Sequence, residues 1–150
     1  MFEALLVSVV LVAITVVIHA YGTHYWMRYM GYRFVGPDGN FKPRKVMPAI
    51  ISTAVTLLML HVVEVVVWAV AYRVLDSISS LDTFEKAMYF SVVTFTTLGY
   101  GDITLPAQEW RMLSGIEALN GILLVGWTTA FLFAVVQRSW SASARGQGGG

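Results

Sequence analysis

Three stretches of this 150-residue chain are long and apolar enough to cross a lipid bilayer. A spanning helix needs about 20 predominantly apolar residues. Ala4 to Tyr21 contains no Asp, Glu, Lys or Arg; Val46 to Tyr72 carries Glu64 alone; Met112 to Val136 is interrupted by Glu117 and Asn120. A shorter run, Phe84 to Phe95, cannot span and reads as a re-entrant or buried helix. Composition agrees: 57% of residues are hydrophobic and 13% charged, against about 25% charged in soluble domains. The net charge of +1 makes no case for nucleic-acid binding, and the lack of cysteine excludes disulfides and thiolate metal sites. A signal peptide at the start is disfavoured, because Met1-Phe2-Glu3 is acidic where a signal is basic.

Charge sets an orientation. Arg28, Arg33, Lys42, Arg44 and Lys45 separate the first two spans, against Asp38 alone; Arg138 and Arg145 follow the third. The positive-inside rule places this linker and the C-terminus in the cytoplasm, with the N-terminus outside. The expected protein is therefore multi-pass in the plasma membrane and in contact with lipid. Tyr25, Trp26, Tyr29 and Tyr32 suit the inner headgroup layer, either along the interface or on a helix that leaves the membrane. Gly36-Pro37-Asp38-Gly39-Asn40 marks a turn, and the Ser- and Gly-rich end reads as a flexible tail. No helix has arginines at every third position, so a voltage sensor of that kind is not encoded.

The segment between the second and third spans carries the chemistry. Asp82 or Thr83 can cap a helix from about Phe84, with Glu85 in its first turn. Its C-terminal carbonyls, partially negative and within the membrane, favour a cation. Thr96-Thr97-Leu98-Gly99-Tyr100-Gly101-Asp102 follows, with two glycines able to take positive φ. Alternation of such residues with ordinary ones can turn successive carbonyls toward one axis. Irregular backbone at this depth is tolerated only where it is buried or lines a pore.

Thr97-Leu98-Gly99-Tyr100-Gly101-Asp102 resembles the signature filter of the potassium channel family, with Leu98 where many members carry Val. The order of outer helix, pore helix, filter and inner helix is similar too, over about Val46 to Arg138. The resemblance implies an all-α integral membrane protein: three transmembrane helices, a re-entrant pore helix and a selectivity-filter loop. Residues 1–45 would form the N-terminal helix and its basic, aromatic linker. Residues 46–138 would form the pore domain (outer helix 46–73, pore helix 83–95, filter 96–102, inner helix 110–138), and 139–150 the tail. It further implies that the carbonyls of Thr97, Leu98, Gly99 and Tyr100, with the Thr97 hydroxyl, replace the hydration shell of K⁺, the permeant ion. Gly101 would turn the chain at the outer mouth, and Thr96 would stand behind the filter. Asp102 would bond to Tyr89, which matches a donor position that is often Trp. Val93 stands where some bacterial members carry Glu. One loop provides one side of the cage, so a homotetramer is implied. The expected protein is a passive K⁺-selective channel, not an enzyme, with no small-molecule substrate and no nucleic acid.

Other polar residues leave alternatives open. Gly121 suits either close helix packing or a gating hinge. Thr128, Phe131 and Val135 would line the lower cavity. Glu64 and Glu117 are intramembrane acids that need partners. His61 lies one turn before Glu64, and Asn120 stands in the same relation to Glu117. His61, Glu64 and Glu117 either take part in gating and pH sensing, or form a neutral network through Ser91, Thr94 or Ser114. His19 and His24 read as polar side chains near the inner end of the first span. Two rival functions remain: a non-conducting or regulatory channel subunit, and an intramembrane metal-binding protein using His19, His61 and Glu64.

Overall fold

The structure, a computed structural model, describes residues 2–37, 39, 41–75, 81–105 and 108–147. Asp38, Asn40, Asp76, Pro106 and the last three tail residues lie outside them. Among the described residues the fold is all-α, with four α-helices in the order α1 (Phe2–Phe34), α2 (Val46–Val74), α3 (Phe84–Phe95) and α4 (Gln108–Gln147). No strand occurs among the described residues. α1, α2 and the Trp110–Trp140 part of α4 are long and apolar enough to cross a membrane.

α1 is 33 residues long, about 50 Å at 1.5 Å per residue. That exceeds a hydrocarbon core of about 30 Å, so the helix continues unbroken through Tyr25, Trp26, Tyr29 and Tyr32. Its surface is arranged for lipid. Leu5, Leu6, Val9, Val10, Ile14 and Val17 are exposed, while Ser8, Thr15, His19 and Thr23 are buried at helical spacing. Lipid tails are as apolar as leucine, so membrane helices pack through small and polar faces. The hydroxyls cost little, because each bonds back to its own helix: Ser8 to the Ala4 carbonyl (2.6 Å), Thr15 to Leu11 (3.0 Å), Thr23 to His19 (2.7 Å).

A tight return joins α1 to α2. Val35 and Phe41 form an isolated antiparallel bridge, and the Gly39 amide donates to the Gly36 carbonyl at 3.0 Å. A single 3-10 turn, Pro43–Lys45, leads into α2. Met30, Phe34, Phe41, Ala49 and Val135 pack together here, with Phe131 at the edge. Phe131 and Val135 therefore face α1 and the return within the chain. The expectation that they line a cavity took no account of a first helix seated against α4.

α3 starts at Thr83, whose side chain accepts the Lys86 amide. It packs against both α2 and α4. Trp68, Tyr72, Phe90, Phe95, Leu113 and Leu124 form the centre of the core. α4 is one helix, and the segment expected as a flexible tail is helical as far as Gln147.

α3 and α4 touch backbone to backbone. A Cβ placed on Gly121 would lie 1.9 Å from the Phe95 carbonyl oxygen. This is close packing of the end of α3 on the middle of α4, and the atom in the way is main chain. Gly121→Ala is expected to destabilise the fold by at least the roughly 1–3 kcal/mol typical of overpacking. Thermal unfolding in detergent measures it; Gly126→Ala, which meets open space in the chain, is the control.

Candidate functional site

The end of α3 turns directly into the glycine-bearing segment, and its capping bonds specify how. The Leu98 amide donates to the Val93 carbonyl at 2.9 Å and the Thr97 amide to Thr94 at 2.9 Å. These six-to-one and five-to-two bonds make a Schellman stop, with the C′ residue in the left-handed region. Glycine is usual at C′, but here the residue is Thr97, with φ 59°. A left-handed, β-branched residue costs about 1–3 kcal/mol and persists only where its surroundings impose it. The Gly99 amide also donates to Val93, at 3.2 Å, while Thr96 returns both its amide and its hydroxyl to Val92.

Left-handed backbone then recurs at every second residue. Gly99 and Gly101 have φ of 57° and 77°, while Leu98, between Thr97 and Gly99, and Tyr100, between the glycines, lie outside that region. The sequence points to positive φ at the glycines, and Thr97 adopts it as well. Its signal was positional: Thr97 stands where a helix-ending glycine would be. Leu98 (55%) and Tyr100 (67%) are largely exposed on the single chain.

The outer end is tied down. Tyr89 Oη donates to Asp102 Oδ2 at 2.7 Å, linking α3 to the residue that follows Gly101. Arg111 Nε donates to the Leu105 carbonyl at 3.1 Å, holding the descending chain to the start of α4. A cavity of about 530 Å³ lies behind this segment, lined by Tyr89, Val93, Thr94, Asp102, Arg111 and Ser114 among others. The hydrogen bond from Tyr89 holds the Asp102 carboxyl below its ordinary value of 3.8.

The intramembrane acids sit in two separate knots. Glu117 receives the Tyr72 hydroxyl at 2.6 Å, and Ser91 Oγ lies 2.5 Å away on its other oxygen, joining α2, α3 and α4. Asn120 is not among the partners of Glu117; it donates to Thr15 on α1 at 2.8 Å. Thr94 and Ser114 line the cavity instead. Glu64 meets His61, as its spacing suggests, and also His19. His19 is fully buried and mid-helix, not near an inner end, because α1 extends 13 residues past Tyr21 to Phe34. His24 is exposed beside Tyr25.

Residues 60–138, which include α3, the segment 96–102 and most of α4, match a family model described as ion channel. The chain belongs to the ion channel family. It is a multi-pass membrane protein of a family of channels rather than enzymes. It is similar to the two-pore potassium channel 1 of Arabidopsis thaliana, at 40% identity over 37% of the chain and 16% of that relative. It is also similar to the TWiK family of potassium channels protein 18 of Caenorhabditis elegans, at 29% identity over 54% of the chain and 17% of that relative. The matches thus span about a sixth of the length of these relatives. No solved structure matches. The likeness to potassium channels and the pore-loop architecture agree with the motif resemblance.

The Tyr89–Asp102 bond has a defined pH window. A carboxyl held below its ordinary value adds stability above that value, lost as pH falls through the lowered one. The tyrosine's titration is shifted upward by the same bond, so the contact also outlasts the ordinary tyrosine range. Tyr89→Phe should therefore unfold at a lower temperature than the native protein by a constant margin from roughly pH 5 to 9. The margin should shrink in stronger acid. Melting curves of both proteins in detergent across this range check it.

Proposed function

We propose that this chain is the subunit of a homotetrameric, K⁺-selective channel that conducts passively through a backbone-carbonyl filter at Thr97–Tyr100. The observation that carries the reading is the left-handed backbone at Thr97, Gly99 and Gly101 with ordinary residues between them. A chain that alternates hand in this way brings successive carbonyls to the same side. The amides of Thr97, Leu98 and Gly99 are spent backward on α3, which leaves carbonyl oxygens for an ion. Several adjacent oxygen cages let ions enter by stripping water and leave by displacing one another. The C-terminal end of α3 adds a field that favours a cation. Four copies close the cage, and the exposed Leu98 and Tyr100 side chains are surfaces that neighbouring copies would cover.

In this reading residues 46–138 make the pore unit, Thr96 stands behind the filter, Gly101 turns the chain at its outer mouth, and Tyr89 and Asp102 brace that mouth. The basic linker faces the cytoplasm, the segment 81–105 opens outside, and the membrane is the plasma membrane. The potassium-channel names of the two relatives support the choice of ion.

The test is the reversal potential of the purified protein in liposomes under opposed K⁺ and Na⁺ gradients. A potential near the K⁺ equilibrium value is expected; one insensitive to K⁺, or no current, overturns the proposal. Gly99→Ala separates backbone conformation from bulk, since a Cβ there meets nothing within 4 Å but sits at φ 57°. That mismatch costs about 1–2 kcal/mol per subunit, and loss of selectivity is expected. Thr97→Gly makes the opposite change: it relieves the left-handed threonine and deletes the hydroxyl. Thermal stability should hold or rise while K⁺ selectivity falls.

A further inference from the structure

Two imidazoles from different helices grip one carboxylate inside the membrane. His19 Nδ1 lies 2.8 Å from Glu64 Oε1, and His61 Nδ1 lies 2.8 Å from Glu64 Oε2. His19 and Glu64 are fully buried and His61 is 14% exposed. One ligand atom from each of the three residues can be chosen so that all lie within 4.8 Å of one another. The far nitrogens of both rings face a single hydroxyl on α4. Thr128 Oγ1 is 2.9 Å from His61 Nε2 and 3.5 Å from His19 Nε2.

With a proton on each Nδ1, both rings donate to Glu64 and both Nε2 atoms become acceptors. Thr128 has one hydroxyl proton, so it serves one ring and leaves the other buried nitrogen without a donor. A bound divalent ion reverses the count. Each Nδ1 then gives its lone pair to the ion and carries its proton on Nε2 instead. Thr128 Oγ1, with two lone pairs, accepts from both. No proton is lost, and both rings gain the outer partner that metal-binding histidines usually have.

We propose that His19 Nδ1, His61 Nδ1 and the Glu64 carboxylate form a binding site for a first-row divalent transition ion of the zinc class, tying α1 to α2 with Thr128 of α4 as the outer support. Two histidines and a glutamate are a ligand set that zinc accepts. Charge permits it. The cluster carries −1 with neutral rings and an ionised carboxylate, and +1 with the ion, so burial opposes neither more than the other. The His61 ring lies 5.8 Å from the ring of Phe95, the last residue of α3. His61 also borders an apolar cavity of about 300 Å³ with Leu58, Val62, Met88 and Phe95.

The experiment loads the full-length chain in detergent with Zn²⁺ or Co²⁺, removes free ion on a desalting column and counts metal per chain. One ion per chain is expected, with a Co²⁺ spectrum of low coordination number. His19→Ala and Glu64→Gln should reduce the content to background, with helical circular dichroism reporting whether each variant folds. Thr128→Val should bind about 10–100-fold more weakly, as loss of an outer-shell partner does; His24→Ala should bind as the native chain does. If His19→Ala does not fold, the native chain and Thr128→Val decide. No retained ion, an octahedral Co²⁺ spectrum, or affinity unchanged by Thr128→Val and content unchanged by His19→Ala overturns the site. The readout counts ions rather than current, so its outcome is independent of the filter proposal.

Discussion

A helix that ends inside a membrane leaves carbonyls that water cannot reach, and an irregular segment beside it brings amides in the same position. α3 and residues 96–102 meet this constraint by serving one another. The amides of Thr96 to Gly99 bond to Val92, Val93 and Thr94, so the helix end is capped by the chain that leaves it. The Phe95 carbonyl is pressed against Gly121 of α4. Everything beyond Phe95 depends on this junction: the hand of Thr97, the alternation that follows, and the reach of Asp102 back to Tyr89.

The rest of the bundle holds that junction in place with polar contacts, which in lipid take over a task that burial of apolar surface performs in water. The Glu117 knot joins α2, α3 and α4 on one side of Gly121, four residues earlier along α4. The Glu64 cluster joins α1, α2 and α4 through Thr128, seven residues later. Asn120 and Thr15 add a link from α4 to α1. Individual hydrogen bonds of this kind contribute about 0.6 kcal/mol on average. Leaving a buried polar group without its partner costs more, about 1–3 kcal/mol. The two acids therefore favour the alignment of the helices that gives each its partners.

Much of this was legible in the residues. Hydropathy separates three spanning helices from one short one because lipid demands long apolar segments. Gly99 and Gly101 announce an irregular backbone because they relax the steric limit on φ. Thr97 hides its conformation for the same reason reversed, since a β-branched residue normally avoids it. His19 was misplaced because the apolar run ends at Tyr21 while the helix does not. The periodic burial of Ser8, Thr15, His19 and Thr23 is written in the sequence, but a polar stripe becomes meaningful only when its partner helix is known. Asn120 shows the limit of spacing rules: one turn from Glu117 is close enough to bond, yet its amide goes to Thr15 on another helix, while Glu117 bonds to Tyr72 and Ser91 from elsewhere in the chain.

The stripe on α1 bears on biogenesis. As it emerges ahead of α2 during synthesis, α1 would present an imidazole to hydrocarbon with nothing to neutralise its polarity. Its counterpart, Glu64, would be worse off alone. The short return at residues 35–45 brings the two within reach as soon as both have been made. The natural unit of insertion is therefore the α1–α2 hairpin, and a translocation apparatus that released the helices singly would have to shelter each until the other arrived.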